Sequence, residues 1–179
     1  MNVMIPDHDH LVKIVRGATN GVFSTMLAIE LEQGDAYINT ASPPAGDGIL
    51  SFVGLAGSWV GTGSVSCTAD CACKISSRFL MTEYTSVNED VLDAIAEITN
   101  MVIGNVKTLL EEDLGPMGLS IPTVIFGRNF ASRTVGTFQW TVVPFLFDRE
   151  RIIIQICLAP QKSAIKPKPH VNVHEPAVN

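Results

Sequence analysis

The chain has 179 residues, of which 46% are hydrophobic, so it can bury a substantial core as a single domain. Its formal net charge of −6 and the absence of a basic run argue against binding to nucleic acid or to anionic membranes. The sequence begins without a basic region followed by an apolar one, and it contains no apolar run long enough to span a membrane. We therefore expect a cytoplasmic protein.

The first part of the chain predicts one helix followed by short strands. Apolar residues recur at steps of three and four from about residue 9 to 26, which indicates an amphipathic helix. The strand-like segments that follow are 28–32, 36–39, 49–55 and 64–67. The glycine-rich segment 54–63 lacks the lysine of a phosphate loop and does not run into a helix, so we interpret it as a hairpin connection.

Two more helices and a hairpin are predicted next. The second helix covers 69–81, and the third begins at a capping box formed by Ser86 and Glu89. The third helix runs to about Glu112 and is ended by Gly115-Pro116. The remaining strand-like segments are 123–126, 137–147 and 152–158, and the last two are joined by 148–151 into a long hairpin.

The end of the chain has a different composition from the rest. From Pro160 onward there are four prolines, scattered charges and few bulky apolar residues. We therefore predict a folded domain over 1–159 and an extended or disordered tail over 160–179.

A polar stripe on the third helix is the feature that packing does not explain. At about 100° per residue, Asp93, Glu97 and Asn100 fall within about 60° of one another. Gly104 continues this stripe, although glycine costs about 1 kcal/mol relative to alanine in a helix, and a partner's backbone can approach there. The apolar residues predicted on the opposite side are Val91, Ile95, Ile98, Val102, Val106 and Leu109. Considered alone, such a stripe is typical of an ordinary solvated helix face.

Cysteine and histidine positions do not indicate a metal site. The cysteines, which we expect to be buried and reduced, are Cys67, Cys71, Cys73 and Cys157. The alternative, a metal site on the first three of them, needs a fourth ligand that is not found nearby in the sequence. The histidines lie near the two ends of the chain, where a helix start or a solvated segment explains them, and are His8, His10, His170 and His174.

The order of elements indicates an internal α-β-β duplication in which the first and third helices are counterparts. Aligning Asn20 with Asn100 places Lys13 and Gly17 opposite the two acidic residues of the stripe. Only the asparagine is shared, so one half has kept a polar constellation that the other half lacks.

The third helix resembles the signature of the CheC/CheX/FliY chemotaxis phosphatases. That signature is an aspartate or serine, a glutamate four residues later and an asparagine three residues after that, which correspond here to Asp93, Glu97 and Asn100. Pro122 corresponds to the proline that ends the signature, although it stands one residue closer to the asparagine than in the family.

Two further features extend this resemblance to the region from about residue 9 to 158. Segments 53–57 and 63–66 are similar to the hairpin of the family, and the order of elements is similar throughout. A single signature resembles CheX more than CheC. The resemblance implies an α+β fold with an antiparallel sheet packed with helices. It also implies a homodimer joined through the sheets, which the apolar hairpin 137–158 supports because it would be an exposed edge in a monomer.

By resemblance, the function is dephosphorylation of the phosphoaspartate of a CheY-type receiver domain. Asn100 would orient the attacking water and Glu97 would engage a receiver lysine, while Asp93, Gly104 and Pro122 would contact the partner. Mg²⁺ is expected on the receiver, with no cofactor bound by this chain. One alternative is a non-catalytic scaffold that binds receivers or flagellar-switch components. A metal-dependent hydrolase built on the two carboxylates is disfavoured, because no histidine or third carboxylate lies at ligand spacing.

Overall fold

The computed structural model describes residues 6–40, 48–130 and 139–161. In these ranges the helices are α1 (His8–Leu27), α2 (Ala69–Leu80) and α3 (Glu89–Leu114). The strands are β1 (Glu32–Gln33), β2 (Tyr37–Asn39), β3 (Gly48–Gly57), β4 (Trp59–Cys67), β5 (Met117–Leu119), β6 (Thr123–Gly127), β7 (Trp140–Phe147) and β8 (Glu150–Pro160). The strands form one antiparallel sheet in the order β1-β7-β8-β4-β3-β5, with β2 also pairing with β7 and β6 also pairing with β3. The predicted α+β class is confirmed.

The sheet has an internal two-fold arrangement, as the predicted pseudo-repeat requires. The β3–β4 and β7–β8 hairpins lie side by side, joined through β4 and β8. The first half of the chain contains β1 to β4 and the second half contains β5 to β8. β1 and β2 of the first half pair with β7 of the second, and β5 and β6 of the second half pair with β3 of the first. Near the middle of the sheet, Ser64 pairs in register with Gln155, and its hydroxyl donates to Gln155 Oε1 at 3.4 Å.

Each edge of the sheet carries a bulge, and the two bulges lie at equivalent positions of the two halves. β5 and β6 follow one another along β3, and residues 120–122 separate them opposite only two residues of β3. This bulge is fixed by two hydrogen bonds, from Ser120 N–H to Gly54 O at 2.9 Å and from Gly54 N–H to Ser120 Oγ at 2.8 Å. The segment between β1 and β2 repeats the arrangement along β7, with Gly34 N–H donating to Pro144 O at 2.9 Å.

Each helix begins at a side-chain cap. Asp7 Oδ1 accepts a hydrogen bond from His10 N–H at 2.8 Å, so the predicted helix start near the first two histidines is confirmed. The capping box predicted at Ser86 is wrong, because Asn88 caps α3 by accepting from Val91 N–H at 3.0 Å. Glu89 is therefore the first helical residue and not the third, where a capping box requires it.

The predicted strand over 28–32 is also wrong. Ala28 has a φ of 53° and ends α1 in the left-handed conformation, and Ile29 N–H donates to Phe23 O at 3.1 Å. The alternation of Ile29 and Leu31 serves packing, since Ile29 is buried and Leu31 is half-buried against the core. Only the two residues of β1 are paired.

The glycine-rich segment forms a hairpin, as predicted, but most of it is strand. β3 continues to Gly57 and β4 starts at Trp59, so only Ser58 lies between them. A Cβ on Gly57 would stand 2.5 Å from Pro116 O, so this glycine allows the backbone before β5 to approach closely. β5 itself, with three residues, was not predicted.

The C-terminal hairpin is confirmed, with a turn at Asp148 and Arg149 whose φ values are 51° and 67°. The interpretation of this hairpin as an exposed edge is wrong. β8 pairs with β4 along its length, and β1 and β2 cover the other side of β7, so Val142, Phe145 and Ile154 are fully buried. Residues 137 and 138 lie outside the described residues.

β8 ends at Pro160, the first residue of the predicted tail, and Gln161 N–H then donates to Ser58 O at 2.9 Å. The rest of the predicted tail, 162–179, lies outside the described residues. No helix among the described residues combines the length and apolarity needed to cross a bilayer.

Candidate functional site

α3 carries the polar stripe on the side that faces away from the core. Asp93 and Glu97 are exposed, and Asn100 and Gly104 are half-buried. On the opposite side of the helix, buried apolar residues hold α3 against the sheet and the other helices, and they are Val91, Ile95, Ile98, Val102 and Val106. The core therefore fixes the direction in which the stripe points.

One residue predicted in the apolar set of α3 is misplaced. Leu109 is 43% exposed, whereas its neighbour Leu110 is fully buried. α2 has only 12 residues and packs on the first half of α3, where Ser76 Oγ donates to Val91 O. Leu109 lies 18 residues beyond Val91, or about 27 Å along the helix, so α2 does not reach it.

The stripe side chains are free to engage a partner. Within the described ranges, Asp93, Glu97 and Asn100 form no side-chain hydrogen bond or ion pair with the rest of the chain. The first turn of α3 adds the carboxylates of Glu89 and Asp90, so this end of the stripe is acidic. Such a surface suits a basic group on a partner.

The position of Asn100 is set by a rigid element. It lies near the middle of a 26-residue helix, and its neighbours Ile98 and Ile103 are almost completely buried. Its carboxamide can both donate and accept hydrogen bonds. A helix anchored in this way holds such a group within the narrow tolerance that a catalytic role requires.

The bulge between β5 and β6 approaches the stripe from the side. Met117 N–H donates to Glu111 Oε1 at 2.8 Å, and a Cβ on Gly104 would stand 3.6 Å from Leu119 Cδ1. β5 therefore runs along α3 in the direction of its N-terminus, and the bulge of residues 120–122 follows β5 in the chain. Pro122 ends this bulge and is half-buried, and its contact with a partner stays a prediction.

Gly104 is not required by the packing of the chain itself. The 3.6 Å separation from Leu119 is an ordinary contact, so an alanine would fit. Because the glycine has no side chain, a partner's backbone can approach α3 closely at this position of the stripe.

α1 presents the same geometry without the acidic groups. Lys13 and Gly17 are exposed, Asn20 is half-buried, and a Cβ on Gly17 would meet no atom within 4 Å. The corresponding residues of α1 and α3 therefore have similar exposure but different side chains.

The prediction of buried cysteines is confirmed, since all four thiols are free and buried. Burial raises the pKa of Cys157 to about 11, and a hydrogen bond with Cys71, together with burial, holds the pKa of Cys67 well above its usual range. These thiols stay protonated at neutral pH and are poor nucleophiles. In the described part of the chain, no cluster of three or more histidine, cysteine, aspartate or glutamate residues is arranged to hold a metal ion.

Comparison with known proteins gives related structures across most of the chain. CheX from Desulfovibrio desulfuricans is 27% identical, with a TM-score of 0.75 over 83% of this chain and 99% of that one. A putative chemotaxis protein from Desulfovibrio vulgaris Hildenborough is also 27% identical, with a TM-score of 0.76 over 83% and 96% of the two chains. A chain of the CheX–CheY–BeF3–Mg²⁺ complex from Borrelia burgdorferi is 24% identical, with a TM-score of 0.72 over 86% and 99%, and shows the shared fold.

A search of curated protein sequences found no match. A family profile described as chemotaxis phosphatase CheX matches residues 49–146, which is more than half of the chain. The matched segment includes the whole of α3 and the bulge beside it. The chain belongs to the CheX family of chemotaxis phosphatases.

Proposed function

We propose that this protein hydrolyses the phosphoaspartate of a CheY-type receiver domain, in chemotaxis or a related two-component pathway. The observation that carries the proposal is an asparagine amide that has no hydrogen-bond partner among the described residues, held on a rigid helix one turn from the exposed carboxylate of Glu97. Membership of a family described as chemotaxis phosphatases supports it.

Asn100 is proposed to position the attacking water. Its side-chain oxygen accepts a hydrogen bond from the water, while its nitrogen can donate towards the phosphoryl group. The water oxygen forms a bond to phosphorus as the bond to the aspartate oxygen breaks, which gives inorganic phosphate and a free carboxylate. Phosphoryl transfer has a loose transition state, so alignment matters more than a strong base. No covalent intermediate on this chain is needed.

Glu97 is proposed to bind a lysine at the receiver active site. This exposed carboxylate lies one helical turn from Asn100. Its charge pair with the lysine can fix the orientation of the receiver on α3 as well as add to the binding affinity. Asp93 lies one turn earlier and extends the acidic surface. Gly104 and Pro122 are proposed as contacts on the other side of Asn100.

Mg²⁺ is expected on the receiver, where it would neutralise charge on the phosphoryl oxygens. The complex from Borrelia burgdorferi contains BeF3 and Mg²⁺ together with CheX and CheY, which supports a metal-dependent receiver as the partner. We place the protein in the cytoplasm, since receivers act there.

A homodimer is retained as part of the proposal, on the basis of the resemblance to CheX. The β7–β8 hairpin no longer supports it, because that hairpin is covered within the chain. The support that the described residues offer lies at the other edge. β6 has a strand partner on one side only in this part of the chain, and its Phe126 is 51% exposed.

The test is to incubate the protein with phosphorylated receivers and Mg²⁺ and to measure phosphate release against the spontaneous rate. We expect a marked acceleration with at least one receiver. Binding to a receiver without acceleration would replace this proposal with the scaffold function.

A further inference from the structure

Ile121 at the tip of the β5–β6 bulge is an exposed apolar group that the proposed chemistry leaves unused. Its side chain is 85% exposed, although both of its neighbours are tied down or half-buried. Ser120 is held by its two hydrogen bonds to Gly54, and Pro122 restricts the backbone on the other side. The bulge therefore presents an isoleucine to solvent in a fixed conformation.

The position of this isoleucine relates it to the stripe. Met117 lies beside Glu111 and Leu119 lies against Gly104, so the chain reaches the bulge while running along α3 towards Asn100. Bulges are frequent next to active sites, where they redirect a side chain.

The internal duplication provides a comparison within the same molecule. The registers that align the two bulges place Ser120 opposite Gly34, and therefore Ile121 opposite Asp35. Asp35 is also exposed, but it is charged. The half with the Asp93–Glu97–Asn100 stripe thus has an apolar bulge tip, and the half without the stripe has a polar one.

We propose that Ile121 is the apolar anchor of the receiver-docking surface. Its side chain packs against an apolar patch on the receiver beside the phosphorylated aspartate, while the α3 stripe engages the polar groups of the site. This assignment rests on the proposed function. It makes Ile121 a determinant of affinity that takes no part in the chemical step.

The experiment uses a receiver activated with beryllofluoride and Mg²⁺ for binding, and the phosphorylated receiver for kinetics. Truncating an apolar side chain that is buried in an interface typically weakens association by about tenfold or more. Ile121→Ala should therefore raise Kd and KM about tenfold. The value of kcat should be unchanged, and Ile121→Leu should behave like the wild type. Thermal stability should be unaffected, because the side chain is exposed.

Ile38 offers a matched control. It is also an exposed isoleucine, 44% accessible, on β2 at the opposite edge of the sheet. Ile38→Ala should leave Kd, KM and kcat unchanged.

The inference is overturned if Ile121→Ala keeps the wild-type Kd and KM, or if Ile38→Ala weakens binding equally. An active wild type with an unaffected Ile121→Ala variant would remove this inference and leave the proposed function intact. A wild type that neither binds nor dephosphorylates any receiver would remove both.

Discussion

Gly63 of β4 lies directly beneath Ile103 of α3, and a methyl group on Gly63 would stand 2.6 Å from Ile103 Cγ2. Ile103 is fully buried in the helical turn that follows Asn100. The absence of a side chain at Gly63 therefore sets the distance between α3 and the sheet. That distance also fixes the position of the stripe relative to the sheet.

We expect Gly63→Ala to lower the free energy of unfolding by about 1 to 3 kcal/mol, the usual effect of overpacking a core. Receiver dephosphorylation should fall as well, because α3 must shift. Chemical denaturation checks the first effect, and adding Ile103→Val should recover part of the loss. Gly17→Ala is the control, since its methyl group meets nothing within 4 Å, and it should stabilise α1 by up to about 1 kcal/mol.

Asn100→Ala should lower kcat for receiver dephosphorylation by about two orders of magnitude, as is typical when one positioning group is removed. Folding and binding should change little, because the side chain makes no hydrogen bond within the described residues. The matched control is Asn20→Ala on α1, which should keep full activity. Full activity of Asn100→Ala would show that another group positions the water.

Glu97→Ala should weaken binding to the activated receiver by about 30-fold, since removing one partner of a desolvated charge pair costs about 2 kcal/mol or more. The affinity of the wild type should fall with added salt more steeply than that of the variant. Titration calorimetry at two salt concentrations checks both effects. Lys13→Ala, at the corresponding place on α1, should leave affinity unchanged; an equal salt dependence for wild type and Glu97→Ala would argue against the lysine pair.

Glu111, near the C-terminal end of α3, should make the stability of the protein sensitive to acid. A hydrogen bond from Lys107 and another from Met117 N–H hold the pKa of Glu111 below its usual value. A lowered folded-state pKa gives stability that is complete above about pH 4.3 and is lost as the pH falls through the folded-state pKa. Glu111→Gln should therefore be less stable than the wild type at neutral pH, and the difference should shrink below about pH 4.3. Denaturant melts across this range measure it, and a constant difference would contradict the assignment.

The homodimer can be tested at the β6 edge. Light scattering at micromolar concentration should give twice the chain mass of 19.3 kDa, and Phe126→Glu should give the monomer mass. Met26 is 51% exposed like Phe126 but lies on α1, so Met26→Glu should remain dimeric. A wild-type monomer at all concentrations would rule out the dimer.

Periodicity was enough to predict α3 and the direction of its stripe, because a 3.6-residue repeat with a continuous core face leaves little choice. The exact helix start was missed, since Ser86 and Asn88 are both good capping residues and only the fold selects Asn88. The exposure of Leu109 depends on where α2 ends, which is a tertiary property. The bulge tip at Ile121 depends on the register of β5 and β6 along β3, and no local pattern of residues specifies that register.

The two halves of the chain share one backbone arrangement and differ in the residues that they expose. Lys13, Gly17 and Asp35 are all exposed, so the residues that distinguish the half without the stripe from the other half can change without disturbing the buried sheet. A few exposed substitutions on α1 and on the bulge between β1 and β2 could therefore give this half the same outward residues as the other, each with little effect on folding.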